Sequence, residues 1–309
     1  RLTVSGGSVS DNRIVSANGE TSYAGSVYVG DGACFLMTDG SISDNDANTA
    51  DGADDATATG GVFLTDGARG ELAGGSITGN KSYRGAAVML YSDGGDPSGR
   101  VVFEQSGGEI SGNTTVGSGY DQPAGAVMVE RNAEYHMTGG SISGNSARGG
   151  VGGGVCVVDA GLQQGNAEQN TAFVMDGGVV SGNSANYGGG IYSYTNGVEL
   201  NAGEISGNRA FSTGGGVYSE GNSDYYGTIR VKNALVTGNT AQQGGGLYFC
   251  ATGSGVISST DGMAVYGNTA VDGTDMDAAG DDVVFTKGAN DDYLLTLDTR
   301  LLGGGAVRW

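Results

Sequence analysis

Glu71 and Glu104 are the residues whose type and spacing come closest to acid–base chemistry. A repeat of roughly their separation runs through the chain, so the two carboxylates fall on the outward side of successive coils as neighbours. Two carboxyls about 5 to 5.5 Å apart serve retaining glycosidases, and like charges that close push one pKa up. The competing account is an exposed glutamate column whose charges are simply solvated. The full outward column reads Leu36, Glu71, Glu104, His136, Val174, Glu199 and Arg230. His136 is the chain's one histidine. A Ser or Cys nucleophile needs a base beside it, yet no G-x-S-x-G elbow occurs, and one histidine excludes a His-rich metal centre. His136 therefore reads as a surface residue, and catalysis rests on Glu71 and Glu104 alone.

A second candidate chemistry is aromatic. Another outward column reads Tyr28, Phe63, Met89, Met128, Cys156, Tyr192, Tyr218 and Tyr248, and its neighbour ends in Tyr194, Glu220 and Cys250. Seven of the 15 tyrosines lie between Tyr187 and Tyr248. Tyr192, Tyr194, Tyr218, Tyr248 and Glu220 are thus expected to form one aromatic, acidic binding patch, suited to sugar rings or a partner-protein surface. Cross-strand pairing, or an insertion covering the face, gives the same residues a purely structural role. Aspartates cluster at Asp51, Asp54 and Asp55, at Asp272, Asp275 and Asp277, and at Asp281 and Asp282. Calcium favours carboxylate-rich loops, but none of these matches a calcium-loop pattern, so no metal or cofactor is assigned, with Ca2+ the one ion left open. Cys34, Cys156 and Cys250 have neither CxxC spacing nor an even count, so they indicate neither a zinc site nor a disulfide framework.

The elements that position these residues come from an internal repeat. A unit reading G-G-S-I-S-G-N-x-A, then G-G-G-V-Y-V, recurs around Asn12, Asn45, Asn80, Asn113, Asn145, Asn183, Asn208, Asn239 and Asn268. Six of those nine asparagines read Asn-x-Ala. Each unit holds three short segments of β-branched or aromatic residues alternating with period two, a strand signal; no sustained helical periodicity appears. Three short strands per unit, closely spaced, describe one coil of a parallel β-helix. Equivalent residues then stack into columns about 4.8 Å apart. The inward columns are Phe35, Phe103, Tyr135, Phe173, Val198 and Ile229; Ile42 through Ile142 to Val265; and Val27 through Val155 to Leu247. The asparagines Asn45, Asn80, Asn113, Asn145, Asn183, Asn208, Asn239 and Asn268 are expected to stack at a turn as a buried amide ladder. The outward Ser/Thr column of the second strand, from Ser10 to Thr237, reads as a neutral solvated face.

The fold class is therefore all-β: a single-stranded right-handed parallel β-helix of about nine coils, with loop insertions at Ala47 to Thr59, Thr115 to Pro123 and Asp159 to Thr171. Residues 1–270 hold the repeats, and 271–309 read as a C-terminal closing coil or cap. The composition agrees, with 63 glycines but only 2 prolines among 309 residues, which excludes collagen and Pro-rich linkers. A net charge of −20 disfavours nucleic acid and anionic membrane surfaces, and no apolar stretch reaches the ~20 residues of a membrane helix.

The pattern G-G-x-I-x-x-N-x-A…G-G-G-V-Y resembles the repeats of bacterial surface β-helix proteins. It is similar to the repeats of polymorphic outer membrane proteins and of large repeat-rich surface proteins of gut Firmicutes. The resemblance covers about residues 1 to 270 and implies a right-handed β-helix used in adhesion or as a stalk, extracellular, at a bacterial surface or secreted. The implied partners are a host glycan or surface protein and flanking domains of a parent chain. The chain opens inside a repeat at Leu2-Thr3-Val4, so further coils or a domain are expected ahead of Arg1, with end-to-end self-association through the first coil. The reading is a noncatalytic module; the alternative is a β-helix glycosidase or polysaccharide lyase using Glu71 and Glu104.

Overall fold

The computed structural model describes residues 1–14, 24–47, 58–92, 99–116, 125–158, 171–194, 197–221, 227–258, 263–271, 280–286 and 295–298. Three parallel sheets of 15, 8 and 9 strands carry the described chain, which holds no α-helix. Each coil pairs with the coil before and after it, as a parallel β-helix requires. One coil runs Ala133–Met137, Ser141–Ser143, Ser146–Val151 and Val155–Val158. The next coil lies over it in register, with Tyr135 opposite Phe173, Ile142 opposite Val180, Ala147 opposite Ala185 and Val155 opposite Ile191.

The path of a coil differs from the sequence reading in one respect. The first two segments belong to one sheet: Thr171–Ser181 and Gly197–Ser206 run through both without leaving it. The asparagines lie at a turn, as expected, but the residues just after them form a further sheet of eight strands, from pieces as short as Asp46–Ala47 and Thr114–Thr115. The third residue of Asn-x-Ala points inward, where Ala47, Ala147, Ala185, Ala210 and Ala241 are all buried. A narrow corner admits only a small side chain, which accounts for the alanine.

The corners are set by backbone conformation. The residue before each ladder asparagine is left-handed: Asp11 and Asp44 adopt φ 58 and 56, and from Gly79 onward glycine takes the place, as at Gly182 (φ 63). Asp tolerates this region better than most residues, and Gly enters it without a Cβ penalty. The G-G-G corner obeys a second constraint. A Cβ on Gly189 would lie 2.4 Å from the carbonyl carbon of Arg209 and 2.6 Å from the carbonyl oxygen of Gly215, both on the next coil. Backbone on backbone leaves no space there for a side chain.

The expected inward columns are buried throughout. A fourth column, Met37, Leu72, Gln105, Met137, Met175, Leu200, Val231 and Ile257, fills the space beside the first. Its one polar member is satisfied: the Tyr135 hydroxyl donates to Gln105 Oε1 at 2.7 Å, and Gln105 Nε2 donates to the Ser141 carbonyl at 3.3 Å. Full burial of each large apolar side chain contributes roughly 1.5 to 3 kcal/mol before conformational entropy is subtracted.

The ladder is continuous. From Asn12 to Asn239, each asparagine donates both its backbone N–H and its Nδ2 to the Oδ1 of the asparagine one coil on, at 2.8–3.1 Å. The second Nδ2 hydrogen goes to a carbonyl of the preceding coil, as from Asn183 to Ile142 at 2.9 Å. All eight asparagines from Asn45 to Asn268 are at most 5 % exposed. The last rung is Asp282, whose Oδ1 accepts from Asn268 N and Nδ2 at 3.1 and 2.9 Å. Asp281 accepts from the Ala270 N–H at 2.7 Å beside it. These two aspartates of the third acidic cluster thus serve as hydrogen-bond acceptors that finish the ladder. Beyond residue 270, Val283–Phe285 and Leu295–Asp298 add strands to the third and first sheets. Most of the remaining C-terminal residues, the other two aspartate clusters and most of the three insertions lie outside the described residues.

Candidate functional site

The tyrosine column assembles as the repeat register demands, but not as an open platform. Tyr192, Tyr218 and Tyr248 stack with ring centroids 5.3 and 5.2 Å apart and planes within 6°. The Tyr192 hydroxyl donates to Glu220 Oε2 at 3.0 Å. Yet Tyr192 and Tyr218 are only 5 and 3 % exposed, and Phe63, Met89, Met128 and Cys156 in the same column are fully buried. The expectation of an exposed aromatic face is corrected for these two tyrosines. Tyr194, Glu220 and Tyr248 are half-buried at its edge, and of the column's described members Tyr28 is the exposed one, at 52 %.

The cause lies in the second sheet. Strands Ser146–Val151 and Ser184–Tyr187 overrun their corner, so Val151 and Tyr187 pack in the same cluster as the tyrosines. Tyr187 meets Tyr218 at 5.7 Å with tilted rings. Left-handed glycines then turn the chain back tightly: a Cβ on Gly214 would lie 2.7 Å from the Tyr218 Cβ. The result is a second apolar layer outside the third sheet. Burial raises the pKa of the Tyr248 hydroxyl, against a hydrogen bond with Thr286 that lowers it. Cys34, Cys156 and Cys250 are free thiols, exposed, buried and half-buried in turn.

The outer face of the first sheet carries most of the described ion pairs. Arg100 meets Glu134 at 2.7 Å, and Glu199 meets both Arg230 at 3.6 Å and Lys232 at 3.3 Å. His136, read as a lone surface residue, is hydrogen-bonded from Nε2 to Asp176 Oδ2 at 2.7 Å, and Asn201 Nδ2 donates to Asp176 Oδ1 at 2.8 Å. The sequence reading missed Asp176. The signal was present: Asp176 follows Met175, the residue stacked on Met137, one step along from His136.

The hydrogen bond from His136 holds the Asp176 carboxyl below the usual carboxylate range; partial burial opposes the shift, and the Asn201 bond adds to it. A depressed carboxyl stabilises the fold above its unfolded pKa of about 3.9, and the contribution is lost as pH falls through the lower folded value. Both side chains are partly exposed, at 30 and 41 %, so screening keeps the effect to about 1 kcal/mol or less. Asp176→Asn is expected to remove that much of the stability gained between pH 2 and 5, with little change in slope elsewhere. Urea midpoints of both proteins across that range check it.

Glu71 and Glu104 are register partners on adjacent strands, with Leu36 opposite Glu71 on the other side. A hollow of about 250 Å3 opens over them, lined by Arg1, Leu36, Arg69, Glu71, Val102 and Glu104. Paired carboxylates with basic neighbours are therefore together in space. No group of three or more His, Cys, Asp or Glu side chains arranged to hold a metal occurs among the described residues.

No family model, curated protein or solved structure matches this chain.

Proposed function

We propose that this chain is a noncatalytic β-helix module of an extracellular bacterial protein, adhesin-like, in which the rod holds a binding surface away from its anchor or itself acts as a stalk. The observation that carries this reading is the unbroken ladder from Asn12 to Asp282. Each coil commits a buried amide to its neighbours, so the rod transmits load along its axis and keeps every outward residue at a fixed height. The G-G-x-I-x-x-N-x-A repeat, with its resemblance to bacterial surface proteins, supports the same assignment, and the net charge of −20 suits a solvated outer surface. The partner is a host glycan or surface protein, met on the charged first-sheet face and at the Tyr194, Glu220 and Tyr248 edge.

A second reading is favoured by one observation: Glu71 and Glu104 share a hollow with Arg1 and Arg69. A β-helix glycosidase or lyase would use the pair as acid and base or nucleophile. One experiment separates the two. The purified chain is screened on mucin glycans, pectins and milk oligosaccharides for both binding and turnover. Binding without turnover is the expected result. Turnover that Glu71→Gln or Glu104→Gln abolishes replaces the first reading with the second.

A further inference from the structure

We propose that the hollow lined by Arg69, Glu71, Glu104, Leu36 and Val102 binds a small zwitterion: a compact residue with one ammonium, one carboxylate and an apolar body. The argument starts from which charges on this face are already engaged. Arg100, Glu134, His136, Asp176, Glu199, Arg230 and Lys232 are paired with one another. Arg1, Arg69, Glu71 and Glu104 make no ion pair among the described residues, although all four line one hollow. Register arranges them in two rows. Cys34, Arg69 and Val102 stack in one row, continued by Arg1 on the preceding coil; Leu36, Glu71 and Glu104 stack in the next. The rows lie two residues apart along the strand, roughly 6.6 Å.

The geometry is a row carrying Arg69 beside a row carrying Glu71 and Glu104, with Val102 the apolar member of the first and Leu36 that of the second. Glu71 and Glu104 are like charges in adjacent coils, and an ammonium between them relieves their repulsion. A carboxylate on the same molecule reaches the Arg69 guanidinium, which suits it bidentately. A ligand with one charge engages one row and leaves the other with nothing to compensate. At about 250 Å3 the hollow takes one residue of an amino acid or sugar, not a drug-sized molecule. The site is solvent-exposed, so affinity is modest, with a dissociation constant on the order of 1 mM.

Two sources supply such a group: a free α-amino acid, or a sugar carrying both amine and carboxylate. The proposal deepens the binding-module reading and fails separately from it: a chain that binds glycans in the screen but no zwitterion here keeps that reading and loses this site. The test is heteronuclear NMR titration of the intact chain with leucine, leucine methyl ester, N-acetyl-leucine and muramic acid. Leucine or muramic acid is expected to shift resonances of residues 34–36, 69–71 and 102–104, and whichever shifts them at lower concentration identifies the source. The ester and the acetylated acid, each with one charge, are expected to bind at least ~10-fold more weakly. Arg69→Gln and the double change Glu71→Gln with Glu104→Gln should each weaken zwitterion binding by a similar factor. Each variant's melting temperature reports whether the fold is kept. No shift from either zwitterion at ~20 mM overturns the proposal. So does a methyl ester that binds as well as leucine, or a folded Arg69→Gln protein that binds leucine unchanged.

Discussion

Asn183→Ala is expected to destabilise the protein by about 2 to 4 kcal/mol, far more than an exposed Asn→Ala change. The substitution removes the acceptor of two buried donors, Asn145 N and Nδ2, which lie 3.0 and 2.9 Å from Asn183 Oδ1. It also removes the Nδ2 that donates to Asn208 Oδ1 and to the Ile142 carbonyl. Asn183 is fully buried, so water does not replace these bonds. Asn183→Asp separates the acceptor from the donor. The carboxylate still accepts from Asn145, but its other oxygen faces Asn208 Oδ1 with no proton to give. Burial raises the pKa of this new carboxyl above its unfolded value of about 3.9. The native state of the variant then binds the proton more tightly, and its stability falls as pH rises through the raised value. The variant should therefore lie closest to the parent near pH 4 and furthest from it at pH 8. Urea midpoints at the two pH values read the difference. Asp282 ends the described ladder at less cost, because it is half-buried where Asn183 is fully buried and no further rung among the described residues asks it for a donor.

Gly189→Ala is expected to cost about 3 kcal/mol or more, because the new methyl would stand 2.4 Å from the carbonyl carbon of Arg209. The obstructing atoms are backbone of the next coil, so relief requires the two coils to separate. Gly182→Ala is the instructive comparison. A Cβ there comes no nearer than 3.8 Å to any of its neighbours, and its burden is the left-handed φ of 63, about 1 to 2 kcal/mol. Gly182→Asp should cost less than Gly182→Ala, since Asp44 adopts φ 56 at the equivalent place in an earlier coil. Thermal melts of the three variants rank the mechanisms: Gly189→Ala lowest, then Gly182→Ala, then Gly182→Asp.

Much of this arrangement is legible in the repeat. Once Asn45, Asn80 and their successors are aligned, the strand spacing stacks equivalent residues, and Ile77, Ile110 and Ile142 can be nothing but an inward column. The same alignment makes Glu71 and Glu104 neighbours, as they are. What it does not determine is what covers an outward column. Tyr192 and Tyr218 alternate outward as read, but Val151 and Tyr187, from corners whose length varies between repeats, fold over them. Outward from a sheet is not the same as exposed, and period-two alternation reports only the former. The short strand that follows each ladder asparagine goes unread for a related reason. A two-residue strand has no periodicity, and only the recurrent small third residue hints that something is packed behind it. The His136–Asp176 bond links residues in different coils and adjacent outward rows, so it appears only when both rows are aligned together.

Amide hydrogen exchange of the ladder residues tests the central claim, that one continuous chain of buried hydrogen bonds holds the coils as a single rod. The backbone N–H groups of Asn45, Asn80, Asn113, Asn145, Asn183, Asn208 and Asn239 should all fall in the slowest-exchanging class, since each donates to a buried side-chain oxygen on the next coil. Asn183→Ala should accelerate exchange at Asn145, its donor neighbour, before it does so at Asn45. Ladder amides that exchange as fast as those of the exposed strand Leu2–Ser10 would contradict the account.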